Sequence, residues 1–192
     1  MPEPALHFSV IFALSVPRLG IKKAVLLSSL ALLPDLDIIL YVHRSMSHSI
    51  ILLSAAYLPI LLAIFILKRR YFRLALLGFL AILSHPLMDC FQTYTPILYP
   101  VIDRSLWIKV NGWINISSEG FKSQTSINIK DAPTVFKPLE SLDAPIFTSD
   151  GFIISLLLTA IPLLLEAKDS EKARKFIKQV SAIFKRFIEK AN

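Results

Sequence analysis

Residues 50–67 read IILLSAAYLPILLAIFIL, 18 positions without a charge. As a helix this run covers the roughly 30 Å hydrocarbon layer of a bilayer. Pro59 falls inside it, where a lipid-embedded helix tolerates proline better than a soluble one does. Three further runs are similar. Residues 72–83 (FRLALLGFLAIL) continue through Ser84-His85-Pro86 to about Phe91. Residues 152–165 (FIISLLLTAIPLLL) lie between Asp150-Gly151 and Glu166, and residues 21–41 are interrupted by Pro34, Asp35 and Asp37. A shorter apolar stretch, residues 6–16, is too brief to cross alone and is expected to insert packed on its neighbours. The pattern predicts an all-α polytopic membrane protein with about four to five transmembrane helices.

Between residues 95 and 150 the texture turns polar and proline-rich. Leu106–Val110, Asn111-Gly112 and Trp113–Ile116 have the form of a hairpin with an Asn-Gly turn, and Ser126–Lys130 offers a third strand. Beyond residue 166, Phe176, Ile177, Val180, Ile183, Phe184, Phe187 and Ile188 recur at helical spacing opposite a basic face, the mark of an amphipathic helix on the membrane surface. Four parts are expected: membrane helices carrying the His and Asp motifs (1–94), an extracytoplasmic loop with short strands (95–150), a last transmembrane helix (151–166) and a basic amphipathic cytoplasmic helix (167–192).

Composition agrees: of 192 residues, 54% are apolar and only 18% charged, with a mean hydropathy of +0.60. A soluble domain carries about 25% charged residues. Despite the net charge of +7, this chain has too little polar surface for a soluble nucleic-acid binder, and too much apolar content for disorder. Cys90, the single cysteine, forms no intrachain disulfide and no cysteine metal cluster. The start, Met-Pro-Glu-Pro, lacks the basic region of a signal peptide, so the first apolar segment is expected to be retained.

The charges also orient the chain. Arg18, Lys22 and Lys23, then Lys68, Arg69, Arg70 and Arg73, then eight basic residues from Lys168 onward mark cytoplasmic segments. They predict a multi-pass protein of the cell membrane with its N-terminus outside and its C-terminus in the cytoplasm.

In that topology the four histidines, His7, His43, His48 and His85, sit near outer ends of segments. His85 and Asp89 are four apart and share a helix face, an arrangement suited to a divalent metal or to an Asp-oriented His. Asp35 and Asp37 point to roughly opposite sides of a regular helix, so both reach one site only if the backbone bends near Pro34. Ionisable groups at membrane depth are costly and by default pair, face a cavity or function. The expected metal ligands are His7, His43, His48, His85 and Asp89, with Zn²⁺ the leading ion and Mn²⁺ or Fe²⁺ alternatives. Asp35 or Asp37 is the candidate proton acceptor, and Arg44 the candidate clamp for an anionic substrate group.

Pro-Asp-Leu-Asp (34–37), His-Arg-Ser-Met-Ser-His-Ser (43–49) and His-x-x-x-Asp (85–89), following an early His7, resemble the membrane-bound metal-dependent hydrolase family, the YdjM-like, LexA-regulated inner-membrane proteins. The resemblance covers roughly residues 5–100. Ser45 and Ser47 stand where the family usually has Gly and Thr; Thr93 follows Asp89 as it does there, but the Gly that usually comes after it is absent. The resemblance implies metal-dependent hydrolysis. The expected function is thus a membrane-embedded hydrolase with an extracytoplasmic His/Asp metal site acting on a phosphoester or a lipid head group. Membrane lipid is its expected partner, and nucleic acid is not. The rival reading is a non-enzymatic transporter or structural partner that uses the cluster for binding only.

Overall fold

Pro4 occupies the first turn of α1 (Pro4–Leu19), where its missing N–H costs nothing because first-turn donors have no intrahelical acceptor. The computed structural model describes residues 3–42, 45–117, 120–136, 138 and 148–169. Helix α1 turns directly into α2 (Ile21–Leu30) through Gly20 alone. The backbone there, φ 75° and ψ 165°, lies in a region reserved almost entirely for glycine. Ile11, Leu27, Ala31 and Ala81 form one small core, and Phe12, Val16 and Ala24 another.

The expected span over residues 21–41 is divided. Helix α2 ends after ten residues, and a 3₁₀-helix takes over at Leu33–Leu40, starting around Pro34. Among the described residues, three helices are long and apolar enough to cross a membrane: α3 (Ile50–Leu67), α4 (Phe72–Asp89, with the turn from Arg69) and α5 (Ser149–Asp169, apolar to Ala167). Helix α1, at 16 residues, is about 24 Å long. Ser49 caps α3, accepting from Leu52 N at 3.2 Å. Lys68, Arg69 and Arg70 lie at the turn joining α3 to α4, at the opposite ends of these helices from Ser49 and Asp89.

The polar excursion is one antiparallel hairpin, β1 (Arg104–Ser117) and β2 (Gly120–Pro133), with Ser117 paired to Gly120. The Asn111-Gly112 turn is therefore corrected: β1 runs straight through it. The reason lies in the alternation, since Leu106, Ile108, Val110, Ile114 and Ile116 stay in phase across it and share one face. Ser126–Lys130 lies within β2 rather than forming a third strand.

The hairpin stem is fastened to the membrane helices. Ile108 N donates to Cys90 O at 2.6 Å, and Thr95 and Leu106 exchange backbone bonds at 2.9 Å. Ile50 N donates to Ile97 O, and Ser49 Oγ to Tyr99 O, which ties the same loop to the start of α3. Helix α5 packs along α1. Their N-terminal ends are clasped where Thr148 donates its hydroxyl to the buried Glu3 carboxylate, and Glu3 occupies the space in front of Gly151. The amphipathic tail lies, beyond Asp169, outside the described residues.

Two glycine substitutions test this architecture. Gly20→Ala should lower stability by about 1–3 kcal/mol, read as thermal unfolding in detergent. Gly112→Ala, at a position with open space and no positive φ, should stay within about 0.5 kcal/mol of wild type. A large loss at Gly112 would restore the Asn-Gly turn.

Candidate metal centre

Six side chains from four segments meet at one end of the helices: His7 from α1, Asp35 and Asp37 from the 3₁₀-helix, His48 from the short turn Met46–His48, and His85 and Asp89 from α4. His7, His48, His85 and Asp89 are fully buried. Asp35 is the more open of the two 3₁₀ carboxylates, with 16% of its side chain exposed against 4% for Asp37.

The 3₁₀ geometry explains how both aspartates serve one centre. At three residues per turn, positions two apart are separated by about 120° rather than the roughly 160° of an α-helix. His48 sits across that gap. Its Nε2 lies 3.5 Å from Asp35 Oδ1 and its Nδ1 lies 3.4 Å from Asp37 Oδ2. Asp37 Oδ2 also accepts from Ser45 N (2.9 Å), Ser45 Oγ (3.0 Å) and Ser47 Oγ (2.7 Å). It fastens the turn carrying His48 to the 3₁₀-helix. Burial pushes the His48 imidazole down, but hydrogen bonds to Asp35 and Asp37 and the charges of Asp89 and Asp37 outweigh it, raising the pKa to about 9.

His85 carries the strongest chemical constraint. Its Nδ1 lies 2.8 Å from the carbonyl oxygen of Ala31. That carbonyl follows the end of α2, where helix geometry leaves acceptors without intrahelical donors. A carbonyl only accepts, so Nδ1 holds the proton. The other nitrogen, Nε2, then faces Asp35 Oδ1 at 3.1 Å and Asp89 Oδ2 at 3.8 Å. In a neutral imidazole that nitrogen is a lone pair aimed at two carboxylates, which is repulsive unless a cation lies between them. A proton or a metal ion satisfies it.

His7 completes the group, with Nε2 3.0 Å from Asp89 Oδ1 and its ring stacked on His85 at 3.9 Å. His48 Nε2 approaches Asp89 Oδ2 at 3.4 Å. Two donor sets converge, His7 with His85 and Asp89, and Asp35 with His48 and His85, each with ligand atoms within 4.8 Å of one another. His85 belongs to both yet offers only Nε2, so the sets describe one centre rather than two independent ones. The nitrogen and oxygen donors suit a divalent transition ion. The backbone carbonyl behind His85 and the carboxylate behind His48 match the outer hydrogen bonds that orient metal-binding imidazoles.

Of the residues singled out in the sequence, His7, Asp35, Asp37, His48, His85 and Asp89 come together. His43 and Arg44 lie outside the described residues. The sequence reading missed Ser45, the Ala31 carbonyl and Ser47's bond to Asp37. The signal available for the serines was three hydroxyls spaced around a histidine just ahead of an apolar run. Thr93 does not enter the cluster through its side chain; its N–H donates to Asp89 O at 2.9 Å.

In comparison with known proteins, the family model described as YdjM inner membrane protein matches residues 6–182. No curated protein and no solved structure matches the chain.

The fastening role of Asp37 is testable by stability alone. Asp37→Ala should cost about 1.5–3 kcal/mol in thermal unfolding, and Ser47→Ala only about 1 kcal/mol. Equal and negligible losses would show that this network does not hold the turn.

Proposed function

Since the chain belongs to the YdjM inner membrane protein family, we propose that it is a multi-pass membrane hydrolase. One divalent metal ion is held by imidazole and carboxylate donors drawn from His7, His48, His85 and Asp89. The observation that carries this reading is the His85 ring, fixed by Ala31 so that its Nε2 faces two carboxylates. A divalent ion held there would supply Lewis acidity for polarising an ester and for activating water near neutral pH. Asp35, the more open carboxylate, accepts the proton as water adds and the ester separates into acid and alcohol. Asp37 stays with the serines and His48 and acts by positioning. His43 joins the ligands in this reading, and Arg44 holds the anionic group of a phosphoester or lipid head group.

The basic turn at residues 68–73 lies at the far ends of α3 and α4 from the cluster. Basic residues near spans stay cytoplasmic, which supports an extracytoplasmic centre, an outer N-terminus and an inner C-terminus. The same end-placement speaks against a transporter, whose ionisable site belongs near the midplane.

Metal analysis of the full-length protein, purified in detergent without chelator, should find about one divalent ion per chain, with Zn²⁺ first among the candidates. His85→Ala and His48→Ala should lose it while remaining folded, and Asp37→Asn should weaken binding about 10–100-fold. Arg44→Ala should keep the metal and lower phosphoester turnover about 100-fold. A metal-free wild type overturns the reading, and a metal-loaded protein inert toward a phosphoester panel reduces it to binding alone.

A further inference from the structure

Helices α1 and α5 leave between them an apolar groove of about 520 Å³, walled by Ala5, Phe8, Leu32, Phe152, Ser155 and Leu156 among others. Its size falls within the range of small-molecule sites. Phe152, Ser155 and Leu156 follow the i, i+3, i+4 stripe of α5, one of the helices long enough to cross the bilayer. Ser155 lies in this wall with only 8% exposure, and its Oγ is without a hydrogen-bond partner among the described residues. Thr159 has solved the same problem by donating to Ser155 O at 2.8 Å. A buried hydroxyl left open in an apolar wall costs stability unless something in the groove bonds it.

The groove also adjoins the metal centre through two elements. Phe8 follows His7 on α1. Leu32 accepts the backbone N–H of Asp35 at 3.2 Å, and Asp35 is the more open of the two 3₁₀ carboxylates. Two of the groove's wall residues thus belong to the segments that carry His7 and Asp35. The Glu3–Thr148 clasp fixes the spacing of the two walls at their N-terminal ends.

We propose that this groove takes one acyl chain of a membrane phospholipid, its ester accepting from Ser155 and its headgroup phosphoester presented to the Asp35 side of the cluster. A lipid fits better than a packed helix on two counts: the wall is apolar with one open donor, and its walls belong to the segments that carry His7 and Asp35. The headgroup half of the proposal rests on the hydrolase reading; the acyl half does not.

The test uses full-length protein in nanodiscs of phosphatidylethanolamine and phosphatidylglycerol, doped with phosphatidylglycerol bearing a diazirine in its acyl chain. Illumination should label Phe8, Phe152 and Leu156. Ala5→Trp and Ser155→Trp should each cut that labelling about tenfold with metal content unchanged. If either fails to fold, Ser155→Val should still lower it two- to threefold, roughly, by removing the donor. Both Trp variants should lose turnover of phosphatidylglycerol but keep that of bis(p-nitrophenyl) phosphate, which has no chain. Labelling that avoids the groove, or that the variants leave unchanged, overturns the proposal. So does a wild type whose groove residues crosslink instead to a second copy. Groove labelling that the variants abolish, in a wild type that hydrolyses neither ester, keeps the acyl site and removes the hydrolase reading.

Discussion

Three carboxylates and three imidazoles, mostly buried at one end of an apolar helix bundle, have to satisfy one another. Elsewhere the helices are joined by small clusters such as Ile11 with Leu27, Ala31 and Ala81. Within a bilayer such apolar contacts gain little from burial, because lipid tails are as apolar as the side chains. The polar cluster is different. An ionised group left alone at membrane depth is expensive, so arrangements that scatter these six residues are heavily disfavoured. His7 thereby holds α1 to α4, His48 holds the turn ahead of α3, and Asp35 holds the 3₁₀-helix. The divided backbone after Leu30 follows from the same demand. A continuous α-helix would carry Asp35 and Asp37 away from each other and occupy the Ala31 carbonyl that orients His85.

The second half of the chain closes around this centre. The hairpin stem bonds to Cys90, the residue after Asp89, and its loop bonds to Ser49, the residue after His48. Two of the segments that supply the cluster are therefore bridged by backbone outside it. Helix α5 reaches α1 from the other side through Glu3 and Thr148. The hairpin itself keeps Ile108, Val110, Ile114 and Ile116 on one face with Ile129, Ile127 and Phe121 beside them. A two-stranded ribbon of this kind gains its stability from what its stem is fastened to rather than from itself.

Much of this was legible in the sequence, for identifiable reasons. Uninterrupted apolar runs announced α3, α4 and α5, because bilayer thickness imposes a length on composition. His85 and Asp89 could be paired because i, i+4 spacing needs no tertiary knowledge. Asp35 and Asp37 were harder: α-helical periodicity separates them, and only the change to 3₁₀ geometry after Pro34 resolves the conflict. Asn111-Gly112 misled because turn chemistry is a local preference, whereas the in-phase alternation on both sides favours one long strand. The Ala31 carbonyl was out of reach, since a backbone acceptor becomes available only once the end of α2 is known. Glu3 stood out in the sequence only as a charge at odds with a signal peptide, yet it is the buried acceptor that joins the first and last described helices.

The separation of the cluster's members along the chain sets an order of events during synthesis. His7 and Asp89 lie about 80 residues apart, and a ribosome adds about 5–20 residues each second. For roughly 4–16 s the early segments exist without α4. Asp35, Asp37 and His48 are made later than His7, yet they too precede His85 and Asp89 and have neither beside them at first. The centre therefore cannot close until α4 has been made, well after the segments that carry its first four members.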